Sequence, residues 1–287
     1  MKPANESNIK ISAPVLVMDS GVGGLSIAAH IRKTCPDTPL FYLADNGAFP
    51  YGDKDESWLV DRVVKLAYQL VDQYPIKLLV LGCNTASTVV LPALRKALSI
   101  PVVGVVPAIK PAAALSLSGH IGLLATPGTV NRSYTDQLIS DHAAHCKVTR
   151  VGSTEVVRLA EDKLAGIPVD LTRLQQAVSP LFEPETLDTV VLGCTHFPLL
   201  RDELEQIQPR NIHWVDSGAA IARRVAMLLD QTPAQCLAGQ NSVQSDLLFL
   251  TQALSKEASL MKSFRHNGFS QLVILEHEAH GSSGLKL

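Results

Sequence analysis

Two cysteines in this chain stand in matching surroundings. Residues 79–87 read LVLGCNTAS and residues 190–199 read VVLGCTHFPL, so Cys83 and Cys194 each follow an apolar run and a glycine and precede a helix start. A cysteine between a strand and a helix N-terminus faces backbone N–H groups and the positive end of the helix dipole, which favour a thiolate. The magnitudes limit that effect. A free thiol titrates near about 8.5, so half-ionising it at neutral pH takes roughly 2 kcal/mol, whereas a helix terminus supplies about 0.3–1 kcal/mol. A proton-accepting neighbour is needed, and His196 stands close after Cys194. The remaining cysteines, Cys35, Cys146 and Cys236, read as small buried hydrophobes.

Other polar residues sit at the same kind of corner. Asp19-Ser20-Gly21-Val22-Gly23-Gly24 follows an apolar run and opens a helix. It has the outline of a dinucleotide fingerprint, but Ser26 occupies the third small position. Its glycines let backbone N–H groups approach an anion, a carboxylate as readily as a phosphate. Asp19 reads either as a helix cap or as a carboxylate pointed into a cleft. Pro50-Tyr51-Gly52 reads as a turn, or as a substrate loop offering the Gly52 amide and a phenol. Asn84-Thr85 and Thr195 either hold a substrate's carboxylates or ammonium or cap their helices. Cys194 and His196 supply two donors where zinc needs three or four, so no metal site is expected.

Positioning these corners requires strands that end where helices begin. Short apolar runs at 14–18, 40–44, 77–81, 102–106, 120–125, 189–192 and 212–215 read as buried strands, with helical spacing between them, as in 58–71 and 86–98. That alternation predicts an α/β chain with mainly parallel sheets, whose sites form at the strand ends. The two cysteine corners lie about one domain length apart, as expected for two related domains facing a shared cleft. Residues 18–21 (MDSG) and 215–218 (VDSG) form a third matched pair, one before the first cysteine and one after the second. This order argues against one simple tandem duplication, and for a chain that leaves the first domain, builds the second and returns. The expected division is 1–100 with 210–287 for the first domain and 101–209 for the second. Beyond about 231 the pattern weakens: 231–245 is linker-like, 247–250 and 271–276 read as edge strands, and 277–287 looks loose.

The 287 residues are 46% apolar and 18% charged, with a formal net charge of −2. Such balance gives no electrostatic pull towards nucleic acid or an anionic membrane. Residues 1–14 hold no apolar run of signal-peptide length, and no stretch approaches the roughly 18 apolar residues of a membrane span. Five cysteines, with no Cys-x-x-Cys pair, read as reduced thiols of a cytoplasmic protein.

Together DSGVGG (19–24), ADNGAFPYG (44–52), LVLGCNTAS (79–87), GLLATPGT (122–129), VVLGCTHFPLL (190–200) and VDSG (215–218) resemble the glutamate racemase family within the aspartate/glutamate racemase superfamily, over roughly residues 14–230. The resemblance implies a pseudo-symmetric two-domain fold with glutamate in the interdomain cleft and no cofactor. One cysteine would remove the α-proton while the other delivers a proton to the opposite face, Cys83 acting on D-glutamate and Cys194 on L-glutamate. Asp19 and His196 would assist the neighbouring thiols. A further assisting glutamate falls at Leu159-Ala160-Glu161, with Glu155 as a competing choice. Substrate contacts would fall on Asp19, Ser20, Tyr51, Gly52, Asn84, Thr85, Thr195 and His196, with Thr126 also in reach. The resemblance further implies D-glutamate supply for peptidoglycan and a nucleotide-linked cell-wall precursor as an activator; monomer and homodimer both stay open. Rival readings are an aspartate or hydantoin racemase, a Cys194–His196 thiol hydrolase, which leaves Cys83 without a purpose, and a silent binding protein, which has no need of two mirrored thiols.

Overall fold

A computed structural model describes residues 13–231, 246–253 and 257–275. The chain opens with β1 (Val15–Asp19), α1 (Leu25–Thr34), β2 (Leu40–Ala44), α2 (Glu56–Gln73), β3 (Leu78–Leu81), α3 (Asn84–Ala97) and β4 (Val102–Gly104). A second run follows with α4 (Ile109–Leu115), β5 (His120–Ala125), α5 (Pro127–Val130), α6 (Ser133–His142), β6 (Lys147–Gly152), α7 (Glu155–Leu164), α8 (Leu171–Val178), β7 (Thr189–Leu192), α9 (Arg201–Ile207) and β8 (His213–Val215). Then come α10 (Gly218–Gln231), β9 (Leu247–Leu250), α11 (Glu257–His266) and β10 (Gln271–Ile274).

These strands form two sheets, ordered β10-β9-β2-β1-β3-β4 and β6-β5-β7-β8, with every pairing parallel. Strands buried on both faces read as unbroken apolar runs, and each residue is sent to alternate sides. Leu16, Met18, Phe41, Leu79 and Leu81 pack with Leu59, Val63 and Leu70 of α2 and Val90 of α3. Val15, Val17, Tyr42, Leu78 and Val80 pack the other way, against Leu25 and Ile31 of α1, Val225 of α10 and Phe264 of α11. The second sheet is covered in the same manner: Leu124, Val190 and Leu192 meet α7 to α9, and Ile121, Leu123 and Val191 meet α4.

The strand orders correct the reading of the repeats. The order β2-β1-β3-β4 recurs as β6-β5-β7-β8, so two four-stranded units follow one another in tandem. β8 corresponds to β4 and not to β1, so the DSG pair at 19–21 and 216–218 occupies unlike positions. The chain does return to the first sheet, but with β9 and β10 after α10 has packed on α1. β4 pairs with β3 in the first sheet and β8 with β7 in the second, so the chain passes between the sheets after Gly104 and again after Val215.

Two strands differ from expectation. β6 was not anticipated, because KVTRVG offers only Val148 and Val151 as apolar residues and lies at a half-exposed edge. β9 lies inside its sheet, paired with β2 and β10, which accounts for four consecutive buried residues; of the two strands expected at an edge after residue 231, β10 alone takes that place. The linker-like 232–245, Glu276, the tail 277–287 and Cys236 lie outside the described residues. Cys35 and Cys146 are half-buried rather than core residues.

Candidate active site

Each reactive cysteine is delivered by the same local device. After β3 the Gly82 N–H donates to Met18 O, and after β7 the Gly193 N–H donates to Leu124 O, both at 2.7 Å. A Cβ on Gly82 would lie 3.1 Å from Val17 Cγ1, and one on Gly193 2.8 Å from Leu123 Cδ1. The neighbouring strand therefore approaches each corner closely, so that a side chain at Gly82 or Gly193 would require its neighbours to shift. Beyond the cysteines the corners diverge: Cys83 is the N-cap of α3, whereas Cys194 leads into a 3-10 turn, Phe197–Leu200, before α9.

Burial dominates the Cys83 thiol and drives its pKa far above the usual value, and the Asp19 charge adds to this. The N–H groups of Ala86 and Thr85 at the start of α3 pull it back without winning. Cys83 is therefore held as a thiol. Cys194 Sγ lies 3.7 Å from His196 Nδ1, and His196 Nε2 lies 2.7 Å from Glu161 Oε1. Burial works to lower the His196 pKa, but Cys194 and Glu161 outweigh it and hold the imidazole well above its ordinary value. Glu155 instead pairs with Arg173 and Arg158, so the two competing glutamates separate in space.

The glycine run packs against this assembly. A Cβ on Gly23 would strike His196 Nδ1, and one on Gly21 would lie 2.7 Å from Glu161 Oε1. The anions met by its N–H groups are the chain's own carboxylates: Val22 donates to Glu161 Oε1 at 3.4 Å and Gly21 to Asp19 Oδ1 at 2.8 Å. Asp19 does not cap α1, whose N-cap is Gly24. Its carboxylate is fully buried, also accepts the Thr195 hydroxyl at 3.1 Å, and has its pKa raised chiefly by that burial. It is not among the residues that line the cavity described below.

Both cysteines line one cavity of about 190 Å³ between the two sheets. Pockets for drug-sized ligands run to roughly 300–1,000 Å³, so this one suits a single small molecule. Ser20, Tyr51, Gly52, Asn84, Thr85, Thr126, Thr195 and His196, the residues the resemblance names for substrate, also line it. The Thr85, Thr126 and Thr129 hydroxyls form a cluster at 2.9–3.4 Å that spans the two units. The Asn84 amide nitrogen is buried with no hydrogen-bond partner among the described residues. Leaving such a donor unpaired costs about 1–3 kcal/mol, so a ligand oxygen would be welcome there. The Tyr51 phenol donates its proton to Asp45 Oδ2 at 2.8 Å, which leaves its oxygen to act towards a ligand only as an acceptor.

The description Asp/Glu/Hydantoin racemase fits residues 24–225. A glutamate racemase of Shewanella sp. (strain ANA-3) is 51% identical, covering 91% of this chain and 96% of the relative. One from Histophilus somni (strain 129Pt) is 46% identical, covering 92% and 98%. The chain belongs to the Asp/Glu/hydantoin racemase family. Among solved structures, the Escherichia coli glutamate racemase in complex with L-glutamate and the activator UDP-MurNAc-ala matches this family member with a TM-score of 0.86 at 47% identity, covering 92% of this chain and 98% of that one.

Sequence reasoning missed part of the racemase-type cavity. Thr154, Val157 and Arg158 line it from the first turn of α7, spaced as one helix face. Pro127 and Gly128 directly follow Thr126, and Phe49 and Asp53 flank Pro50-Tyr51-Gly52. The helical spacing and the ATPGT stretch carried the signal for the first two groups.

Proposed function

We propose that this chain racemises glutamate without a cofactor, using Cys83 and Cys194 as the two acid–base groups on opposite faces of the α-carbon. The observation that carries the reading is that thiols from two different sheets line one small cavity. Cys194, with His196 and Glu161 beside it, takes the α-proton of L-glutamate as a thiolate. Cys83, held as a thiol by burial and by Asp19, gives its proton to the other face. Turnover ends with Cys83 as thiolate and Cys194 as thiol, the state that processes D-glutamate in the reverse direction. Asp19, whose own affinity for a proton is raised, is suited to exchange one with Cys83.

Proton loss from a carbon beside a carboxylate builds charge that water stabilises poorly, and preplaced donors lower that barrier. The Asn84 amide and the Thr85 and Thr126 hydroxyls are such donors. We further propose that the nucleotide-linked precursor seen with the Escherichia coli racemase activates this chain, as a monomer or homodimer in the cytoplasm, and that the product feeds peptidoglycan. No helix among the described residues is long and apolar enough to cross a membrane.

Incubating the protein with L-glutamate in deuterated water tests the scheme. Optical rotation decays towards zero while deuterium enters the α-position, with no cofactor added. Cys83→Ala and Cys194→Ala each abolish racemisation. Full activity in either variant overturns the two-thiol scheme.

A further inference from the structure

The loop after β2 reaches the cavity with Phe49, Tyr51 and Gly52, and its base is held from the far end of the sequence. Asp45 is fully buried and accepts four hydrogen bonds: from Arg62 Nε and Nη2 at 2.6 Å each, from the Tyr51 hydroxyl at 2.8 Å and from the Thr251 hydroxyl at 2.6 Å. A buried carboxylate persists only when its lone pairs are satisfied, so these donors fix one another's positions through it. Thr251 directly follows β9, and its hydroxyl oxygen also accepts the Gly47 N–H at 3.0 Å. The Thr251 and Gln252 N–H groups donate to Asn46 Oδ1 at 3.1 and 3.0 Å, and Asn46 Nδ2 donates to Gln252 O at 2.7 Å. The strand pairing of β2 with β9 is complete without any of these side-chain bonds.

We infer that Thr251 is a positioning residue for the cavity: through Asp45 and Gly47 it fixes the loop that presents Tyr51 and Gly52, making the C-terminal return of the chain part of the site. Thr251 itself touches no substrate. This rests on the racemase reading for its kinetic consequence, but its geometry stands apart from it.

Thr251→Val keeps the side chain's shape, leaves Asp45 one donor short and strips the Gly47 N–H of its acceptor. The KM for L-glutamate is expected to rise about fivefold or more while kcat stays within about twofold, the loss of one such bond acting on binding. Thr251→Ser restores KM to within about twofold. A fall in melting temperature with KM unchanged overturns the inference. Should Thr251→Val not fold, Asn46→Ala loosens the same clamp from its half-exposed side and is expected to raise KM likewise. Amide exchange reads the positioning without activity: exchange over residues 46–53 accelerates about fivefold or more in either variant, while residues 78–87 keep their protection. Unchanged exchange over 46–53 overturns the inference even if the wild type racemises glutamate. If the wild type does not, the proposed function falls and the exchange result alone decides.

Discussion

A carboxyl group cut off from water carries its charge at a cost, and Asp19 is such a group, with the His196 charge, the Gly21 N–H and the Thr195 hydroxyl offsetting that cost in part. Burial raises its pKa, so the native state binds the proton more readily than the unfolded chain. Stability is therefore lost as pH rises from the unfolded carboxyl value, near about 3.9, through the folded one, and stays lost above it. Asp19→Asn removes that loss. The variant is expected to be roughly 0.5–2 kcal/mol more stable than wild type at pH 7–8 by denaturant titration, and the difference should vanish below about pH 4. Racemisation should fall about 100-fold or more, the usual scale for losing an acid–base partner. An Asn variant with normal turnover would remove Asp19 from the proton path. His196 behaves with the opposite sign, since its raised pKa reflects partners for the charged form. The stability it contributes is full below about 6.5 and is lost as pH rises through the folded value.

Among elements, the glycine turn leading into α1 is wedged against the His196–Glu161 pair of the other unit. Gly23→Ala would push a methyl into His196 Nδ1 and to 2.7 Å from Thr195 Oγ1. Overpacking of this kind costs about 1–3 kcal/mol, and displacing His196 from Cys194 should lower kcat about 100-fold. Gly52→Ala is the control for stability: a Cβ there meets nothing within 4 Å, so the unfolding free energy should stay within about 0.5 kcal/mol. The contrast explains what the sequence made legible. The LGC corners at 81–83 and 192–194 announced themselves because a buried strand, a forced glycine and a thiol are all local features. The glycines at 21–24 read as an anion cradle, because nothing local says that residues 161 and 196 fill the space beside them. Tyr51 reads as an available phenol for the same reason, since Asp45, itself held by Thr251, accepts its proton only after folding. β6 escaped notice because an edge strand needs few apolar residues.

At the scale of the whole molecule, the two cysteines act together only if the two units are held in register, and Arg132 is one of the groups that hold them. It leaves the second unit between α5 and α6 and donates to Thr85 O at 2.9 Å and to the Thr88 hydroxyl, both in the first two turns of α3. The same guanidinium pairs with Glu56 at 3.4 Å, but that carboxylate is 63% exposed. Exposed ion pairs contribute about 0–1 kcal/mol, whereas part-buried charge-assisted bonds contribute about 1.5–3 kcal/mol. The latch should therefore reside in the contacts to α3 and not in the ion pair. Arg132→Met is expected to lower the unfolding free energy by about 1.5–3 kcal/mol and to raise KM for glutamate several-fold, because Thr85 lines the cavity and loses its anchor. Glu56→Gln should cost less than about 1 kcal/mol and leave KM alone. Denaturant unfolding and steady-state kinetics on the two variants decide the matter: equal losses in both would place the coupling between the units in surface charge, and no change in KM for Arg132→Met would mean that the α3 corner keeps its place without help from the opposite unit.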